Sequence, residues 1–464
     1  MTSQTQRGWF YTGLVAVIAL SALVNVWTLN SNHFFYADDW GWLERAAFGR
    51  WSDIFKLFPS SIYNDRPAGA VFIQVMYVLF GLDSHSYNVL WLMLHLVNCV
   101  LFYFIVASCL PTNRALIAAT LAGCWYSCLL AVHWVGAIFD LAGATWCLLS
   151  LLLYIQSSKR GRWHLLLAVS SVMFHVLAIR TKEFALAFVV VLVCWEFLVL
   201  ESAGFWKRLL RLAPHFAVTL IYTIVYFLIY EKHKSFVSAG IYEMSLSLSS
   251  IVDNIGYYLN QAFYVPAVWG INANHWIGYA MLLCVLLLGI TSRKSFAGLL
   301  SAAALMAAVL LMPNQRNALY LYVPHFFLAF AFCALLPRNR LVTALLFAAS
   351  AVLIVWPFYS HEWKWSRDFY LNEGAYSKHL FDDYKKLMGK KVPPSNFTIG
   401  VTRPYFDPFS WGSGSSLRIY HKNSSIKVDV IKMTSPTDDV CAKIIGFCLE
   451  EKSGRLVMAH TAPN

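Results

Sequence analysis

The sequence predicts an all-α polytopic membrane domain of about eleven transmembrane helices, followed by a small C-terminal extracytoplasmic α+β domain. Of the 464 residues, 59% are hydrophobic and only 13% are charged, whereas soluble domains carry roughly 25% charged residues. Apolar runs long enough to cross a bilayer recur along most of the chain. The basic residues cluster in short segments between these runs, which is the positive-inside pattern. The net charge of +12 therefore indicates membrane orientation, and no nucleic-acid partner is expected.

The first predicted span runs from about Gly8 to Leu29. Its apolar run is too long for a signal peptide and no cleavage site follows, so we expect it to remain uncleaved. The second runs from Tyr87 to Leu110, the third ends near His133, and the fourth runs from Ala137 to Ile155. The fifth and sixth spans are expected on either side of Arg180–Glu183, and the seventh is expected to reach Tyr230. The eighth is expected to end at Thr291–Lys294, the ninth and tenth to flank Pro313–Arg316, and the eleventh to end near Phe358.

The predicted membrane domain covers residues 1–358 and has two long outer loops, 30–86 and 231–274. In the first loop, Arg50–Lys56 is expected to form an amphipathic interfacial helix. Pro67–Phe80 is apolar but short for a span, so it is expected to be re-entrant or interfacial. If the basic loops are cytoplasmic, both long loops, the Arg180 and Arg316 turns and the tail lie on the outer side.

The tail, residues 359–464, changes to a composition typical of a small α+β domain. A helix is predicted at Arg367–Lys390, and strands are predicted at Phe397–Val401 and Ile426–Ile431, because short alternating segments are separated by turn residues. Cys441 and Cys448 lie in this tail, and the sequence leaves open whether they form a disulfide.

An acidic pair, Asp38 and Asp39, lies just beyond the first span. Adjacent carboxylates repel each other, so one is expected to hold its proton more tightly than an isolated aspartate does. A carboxylate in that state can act as a general base. The alternative is a solvated acidic turn, but neighbouring aromatic residues favour a position at the headgroup level. Both are candidate catalytic residues, and we favour Asp39.

Three cations on the same predicted face are candidates for holding a phosphate. Arg66 can bind a phosphate or pair with an acidic residue, and it can also simply extend to the interface. Lys182 precedes Glu183 in a short turn, where the two charges can also neutralise each other. Arg316 is the third candidate, because arginine can hold phosphate with two parallel hydrogen bonds.

Polar residues in or beside the predicted spans are candidates for supporting roles. Residues at that depth face protein or a cavity, although a lone histidine such as His95 is more often a packing residue than a catalyst. Arg316 is expected to form one cluster with Tyr320 and Tyr322. The predicted supporting residues are His95, His133, Asp140, Arg180, Glu183, Tyr320 and Tyr322.

Taken in chain order, these motifs resemble the GT-C superfamily of polyprenyl-phosphate-sugar-dependent glycosyltransferases. The resemblance is to the protein O-mannosyltransferase and TMTC-like branch and, more distantly, to the bacterial lipid A aminoarabinose transferases. It covers residues 30 to 325 and so about two thirds of the chain. The motifs that carry it are Asp38-Asp39, Arg66-Pro67, Gly81-Leu-Asp with Tyr87-Asn88, His95 with Asn98, Trp134-Val with Asp140-Leu141, Lys182-Glu183, and Arg316 with Tyr320, Tyr322 and Pro324.

The resemblance implies transfer of a hexosyl or pentosyl group from a polyprenyl-phosphate donor, with inversion at the anomeric carbon. The acceptor is expected to be a lipid, a glycan or a protein outside the cytoplasm. The resemblance implies that Asp38 or Asp39 is the base and that Arg66, Lys182 and Arg316 are candidates for the donor phosphate. A multi-pass location in a bacterial inner membrane, with a periplasmic active face, is expected. No metal ligands and no cofactor are predicted, and dependence on a divalent metal stays open.

Two other functions remain open at this point. One is an oligosaccharide ligase or polymerase. The other is a polytopic transporter or lipid-linked glycan flippase, in which charges near the membrane midplane line a pathway. The predicted concentration of charges on one face, without repeat symmetry, favours the transferase.

Overall fold

The structure, a computed structural model, describes residues 3–30, 33–52, 66–125, 128–159, 163–200, 204–237, 243–262, 276–336, 361–389, 391–435, 440–441, 444, 447–453 and 455–460. It contains two compact units. The membrane unit comprises Met1–Val26, Lys56–Gly69 and Trp91–Lys364, and the tail unit comprises Trp27–Phe55, Ala70–Leu90 and Trp365–Asn464. Much of the predicted outer loop 30–86 therefore belongs to the same unit as the C-terminal tail.

Helices form most of the described chain. In chain order they are α1 (Ser3–Asn25), α2 (Asp39–Phe48), α3 (Pro67–Phe80), α4 (Ser84–Ala107), α5 (Thr112–Gly123), α6 (Cys128–His133), α7 (Ile138–Ser158), α8 (His164–Ile179), α9 (Phe188–Cys194), α10 (Phe205–Val237), α11 (Leu248–Ala262), α12 (Trp276–Gly289), α13 (Arg293–Leu310), α14 (Tyr322–Leu335), α15 (His361–Met388) and α16 (Ser415–His421). Short 3₁₀ turns at Val135–Ala137, Glu183–Ala187 and Ala318–Leu321 and a π turn at Trp195–Val199 extend several of them.

Within the described residues, five helical stretches are long and apolar enough to cross a bilayer: Ser84–Ala107, Val135–Ser158, Phe205–Leu228, Arg293–Leu310 and Ala318–Leu335. Gly13–Leu29, Pro67–Phe80 and His164–Ile179 are shorter apolar helices. These positions confirm a polytopic helical fold. The predicted last span, which ends at Phe358, lies outside the described residues, so the total of about eleven spans stays a prediction.

Helices occupy parts of both predicted outer loops. In the predicted loop 231–274, α10 continues to Val237 and α11 occupies Leu248–Ala262. The charged residues after Tyr230 include good helix formers, so polarity alone did not mark the end of that helix. In the predicted loop 30–86, a short helix, α2, precedes the interval Arg50–Lys56, for which the interfacial helix stays a prediction. Most of that interval lies outside the described residues.

Buried polar contacts join the helices of the membrane unit. The hydroxyls of Ser150 on α7 and Ser171 on α8 each donate to the other's carbonyl oxygen at 2.8 Å. Glu196, in the π turn, is fully buried. Its carboxylate accepts a 2.8 Å hydrogen bond from the Tyr154 hydroxyl and pairs with Arg211. Small hydroxyls and compensated charges of this kind suit packing where water is absent.

The tail unit contains a four-stranded sheet in the order β2-β1-β3-β4. Its strands are β1 (Asn396–Val401), β2 (Lys427–Lys432), β3 (Cys448–Lys452) and β4 (Arg455–His460). β1 pairs in parallel with β2 and β3, and β4 is antiparallel to β3. The predicted helix and two predicted strands are confirmed within a few residues, and Cys441 and Cys448 form a disulfide.

Candidate functional site

The turn after α8 carries the densest group of charges that the sequence singled out. Lys182 has an extended backbone, and its Nζ donates to both carboxylate oxygens of Asp140 on α7, at 2.7 and 2.6 Å. The Lys182 side chain is 12% exposed and that of Asp140 is 4% exposed. The two charges therefore compensate each other in a largely dehydrated position.

A second ion pair joins Glu183 to Arg66, which directly precedes α3. Arg66 Nε and Nη2 donate to Glu183 Oε1 at 3.1 Å, and Nη2 also donates to Oε2 at 2.9 Å. The guanidinium carbon lies 5.4 Å from the centre of the Phe139 ring. The alternative in which Lys182 and Glu183 neutralise each other does not hold, because Lys182 pairs with Asp140 and Glu183 pairs with Arg66.

Close packing at two glycines brings these elements together. A Cβ on Gly69 of α3 would lie 2.5 Å from the Phe139 ring and 3.2 Å from the Thr181 methyl carbon. A Cβ on Gly143 of α7 would lie 2.9 Å from the Phe184 ring. Because only glycine fits at such distances, α3, α7 and the Lys182 turn approach closely enough for both ion pairs to form.

Tyr320 completes what we call the Lys182 cluster: Arg66, Asp140, Lys182, Glu183 and Tyr320. The Lys182 Nζ lies 5.0 Å from the centre of the Tyr320 ring. The cluster contains two cations and two carboxylates, so it is neutral when all four groups are ionised. An anion that binds here must compete with a carboxylate for a cation.

The structure divides the predicted cluster of Arg316, Tyr320 and Tyr322. Arg316 Nε donates to Asn254 Oδ1 on α11 at 2.8 Å, and its Nη2 pairs with Asp253. Tyr322 instead takes part in a buried network with His95. Arg316 precedes the 3₁₀ turn Ala318–Leu321, Tyr320 lies in that turn and Tyr322 begins α14. The three side chains therefore reach different neighbours, and spacing alone did not reveal the split.

His95 has the geometry of a helix-packing residue. Its Nδ1 lies 3.0 Å from the Tyr322 hydroxyl and its Nε2 lies 2.9 Å from the Gly123 carbonyl oxygen. Asn98 donates to the same hydroxyl at 3.1 Å and accepts from the Thr145 hydroxyl at 2.7 Å. With both ring nitrogens engaged and the ring buried, His95 joins α4 to α5 and α14.

Two further predicted supporting residues are buried in the membrane unit. Arg180 donates from Nη1 to the Tyr222 hydroxyl at 3.0 Å, and its guanidinium carbon lies 5.8 Å from the Tyr222 ring centre. His133, at the end of α6, is also buried. Within the described residues, no three His, Cys, Asp or Glu side chains are grouped so as to hold a metal ion.

The acidic pair lies in the tail unit, at the start of α2. Asp39 is 1% exposed, and its Oδ2 accepts a 3.2 Å hydrogen bond from the Tyr36 backbone N–H. Asp38, in the N-cap position, is half-buried. Burial raises the pKa of the adjacent Tyr36 hydroxyl well above its ordinary value, and Tyr370, Asp39 and Asp38 raise it further.

Tail residues fix α2 in place. Arg418 on α16 donates from Nη2 to Glu44 Oε2 at 2.7 Å and from Nη1 to the Ile426 carbonyl oxygen at 2.8 Å. A Cβ on Gly41 would lie 2.5 Å from Trp411 Nε1. The Trp40 ring centre lies 5.1 Å from that of Phe381 on α15. The sequence did not reveal these contacts, because they join segments at opposite ends of the chain.

The arrangement of helices defines the class of fold. The chain has the fold of the GT-C membrane glycosyltransferases, as the sequence resemblance predicts. No protein-family model matches the sequence, and no curated protein matches it.

Solved structures of this fold match nearly the whole chain. ArnT from Cupriavidus metallidurans in the apo state superposes with a TM-score of 0.55 at 14% identity, over 93% of this chain and 87% of that one. The same protein bound to undecaprenyl phosphate gives 0.52 at 13% identity, over 92% and 86%. The oligosaccharyltransferase AglB from Archaeoglobus fulgidus, in complex with an inhibitory peptide and a dolichol-phosphate, gives 0.51 at 11% identity. There, 92% of this chain spans 65% of the length of AglB.

Proposed function

We propose that this chain is an integral membrane glycosyltransferase that moves a hexosyl or pentosyl group from a polyprenyl-phosphate donor to an extracytoplasmic acceptor. The observation that carries the proposal is the Lys182 cluster, in which two cations are held at one turn of a GT-C fold. Two structural neighbours carry a polyprenyl-type phosphate, undecaprenyl phosphate on ArnT and dolichol-phosphate on AglB. A lipid phosphate is the ligand that such cations suit.

Exposure indicates which ion pair opens for the phosphate. Asp140 is 4% exposed, so losing Lys182 would leave its carboxylate buried without a counter-ion. Glu183 is 31% exposed, and water can solvate it if Arg66 turns away. The arriving phosphate therefore displaces Glu183 and takes Arg66 as its bidentate ligand. Lys182 adds its charge while it stays bonded to Asp140.

Asp38 is the better candidate for the general base, although the sequence favoured Asp39. Asp39 is almost inaccessible and already accepts a backbone hydrogen bond, whereas Asp38 is half-buried. In the reaction, the acceptor oxygen bonds to the anomeric carbon and its proton passes to Asp38. The bond from that carbon to the phosphate oxygen breaks, and polyprenyl phosphate leaves with the electron pair. Attack opposite the leaving group inverts the anomeric carbon.

The proposed location is a bacterial inner membrane, with the tail and the active face in the periplasm. The acceptor is a lipid, glycan or protein on that side. The proposed orientation depends on the positive-inside distribution of the basic segments. Arg316 stays a further candidate for the phosphate, because its partner Asp253 is 44% exposed and water can solvate that carboxylate if Arg316 turns away.

The direct test incubates the purified chain in nanodiscs with a radiolabelled polyprenyl-phosphate sugar and an envelope extract as acceptor. Release of polyprenyl phosphate with transfer of label supports the proposal. Movement of intact donor across reconstituted vesicles without release of polyprenyl phosphate would instead identify a flippase.

Binding of undecaprenyl phosphate tests the phosphate site separately. Arg66→Gln should weaken binding about 10- to 150-fold, the equivalent of one charged hydrogen bond. Glu183→Gln removes the competing carboxylate of a partly exposed pair and should tighten binding by up to about fivefold. Lys294→Gln is the matched control, because this membrane-unit lysine donates to the Cys109 carbonyl oxygen. Equal affinities in wild type, Arg66→Gln and Glu183→Gln would place the phosphate elsewhere.

A further inference from the structure

The tail unit contains a cavity of about 510 Å³ against one face of α15. Phe369, Asn372, Glu373 and Tyr376 line it and recur at the i, i+3, i+4, i+7 spacing of a single helical face. Asp368, His379 and, after β1, Arg403 also line it. The volume is within the roughly 300–1,000 Å³ typical of small-molecule sites.

Among the described residues, one carboxylate oxygen of Glu373, which lines this cavity, has no hydrogen-bond donor. Glu373 is 7% exposed, and its Oε1 accepts a 2.9 Å hydrogen bond from Arg403 Nη1. Its Oε2 is buried and has no hydrogen-bond partner among the described residues. A buried acceptor without a donor is unfavourable, so a ligand that supplies a hydroxyl or amine hydrogen is favoured here.

Hydrogen bonds and a ring contact hold Tyr376 and Arg403 in the cavity wall. The Tyr376 hydroxyl donates to Glu451 Oε2 at 2.7 Å, and Glu451 also accepts from the Thr402 N–H and hydroxyl at 2.8 Å. The Arg403 guanidinium carbon lies 5.1 Å from the Tyr376 ring centre. A side chain fixed in this way loses little entropy when a ligand binds.

The charges and aromatic rings that line the cavity indicate which class of ligand it can bind. Glu373 and Asp368 both line the cavity and would repel an anion. Because Arg403 pairs with Glu373 and Arg367 pairs with Asp368, the cavity offers little net attraction to a cation. A neutral polyhydroxyl ring fits both features. Its hydroxyls can donate to Glu373 and accept from Arg403, and its C–H face can lie on the Phe369 and Tyr376 rings.

Ring contacts within the tail unit connect this cavity to the acidic pair. The Phe369 ring centre lies 5.4 Å from that of Phe406, which lies 6.3 Å from that of Tyr36. The backbone N–H of Tyr36 donates to Asp39. We propose that the α15 cavity binds a sugar ring of the acceptor, so that the acceptor is a saccharide or glycolipid. The acceptor role rests on the proposed glycosyltransferase function, whereas sugar binding does not.

Saturation-transfer NMR on the full chain in nanodiscs tests sugar binding without any donor. Maltoside detergents are avoided because their headgroups are sugars. The probes are the methyl α-glycosides of glucose, galactose and mannose, and ethanolamine is the cationic comparison. At least one glycoside should receive saturation at its ring protons. Glu373→Gln should weaken binding at least tenfold, and Arg403→Gln, at a half-exposed position, should also weaken it with little risk to folding.

Asp382→Asn is the matched control, because Asp382 lies on the same helix but pairs with Lys385 outside the cavity lining. It should bind like wild type. Absence of saturation transfer for all three glycosides, unchanged binding in folded Glu373→Gln and Arg403→Gln, or binding of ethanolamine alone would each overturn the proposal. In transfer assays, Glu373→Gln should raise the acceptor KM and leave kcat within about threefold. A fall in kcat alone would overturn the acceptor role.

Discussion

The buried pair of Lys182 and Asp140 allows structural and ligand-binding roles to be separated. Lys182→Met removes the cation and leaves a carboxylate that is 4% exposed. Removing one partner of a buried pair costs about 3–5 kcal/mol, so this variant should melt well below wild type. Adding Asp140→Asn removes the uncompensated charge, and the double variant should recover most of the lost stability.

Donor binding should not recover in the same way. If Lys182 also contributes to phosphate binding, the double variant still lacks one charge-assisted interaction, worth about 1.5–3 kcal/mol. Its affinity for undecaprenyl phosphate should therefore remain about 10- to 150-fold below wild type. The melting temperature should then depend on whether the charges of the pair are balanced, whereas the affinity for undecaprenyl phosphate should depend on whether Lys182 is present.

Both quantities can be measured on the same nanodisc samples, by thermal denaturation and by native mass spectrometry with undecaprenyl phosphate. Lys385→Met is the control, since its partner Asp382 is 37% exposed and such pairs contribute only about 0–1 kcal/mol. A double variant with wild-type affinity would refute the phosphate role of Lys182. A Lys182→Met variant as stable as Lys385→Met would refute the buried-pair argument.

The remaining predictions concern the tail unit. Asp38→Asn should lower turnover, measured by transfer of labelled sugar, roughly 10²- to 10⁴-fold and leave the affinity for undecaprenyl phosphate unchanged. A larger loss of turnover in Asp39→Asn would show that Asp39 is the general base. Glu44→Gln should weaken the Arg418 contact that fixes α2 and lower kcat at least several-fold without changing donor affinity; unchanged kcat would contradict that positioning role. In intact spheroplasts, added protease should cleave an epitope placed after Asn464, and protection of the epitope until the membrane is permeabilised would reverse the predicted orientation.

Local sequence patterns predicted the bounds of helices and strands better than they predicted which side chains pair with each other. The apolar segment Pro67–Phe80 is a helix with those bounds, because its composition and its initial proline both favour one. The predicted tail helix Arg367–Lys390 corresponds to α15, and the predicted strand Phe397–Val401 corresponds to β1. Each depends on residues within a few turns, so a single sequence contains the necessary signal.

The ion pairs depend instead on packing between distant segments. Lys182 and its partner Asp140 are 42 residues apart, and Arg66 and Glu183 are 117 apart. Neighbouring charges at Lys182 and Glu183 left a local pair open, but Lys182 reaches Asp140 on α7 and Glu183 reaches Arg66 before α3. The close approach at Gly69 and Gly143 makes both pairs possible, and the sequence shows these glycines without showing what they contact.

The acidic pair belongs structurally to the C-terminal tail, although 374 residues separate Glu44 from Arg418. Ala37, immediately before the pair, has a φ of +51°, and a non-glycine residue in that region costs on the order of 1–3 kcal/mol. Such a backbone conformation persists only when its surroundings impose it. Ala37 is buried beside Trp40, and the Trp40 ring packs on Phe381 of α15. The orientation of Asp38 therefore depends on a folded C-terminal segment, even though no residue of Trp365–Asn464 takes part in the proposed bond changes.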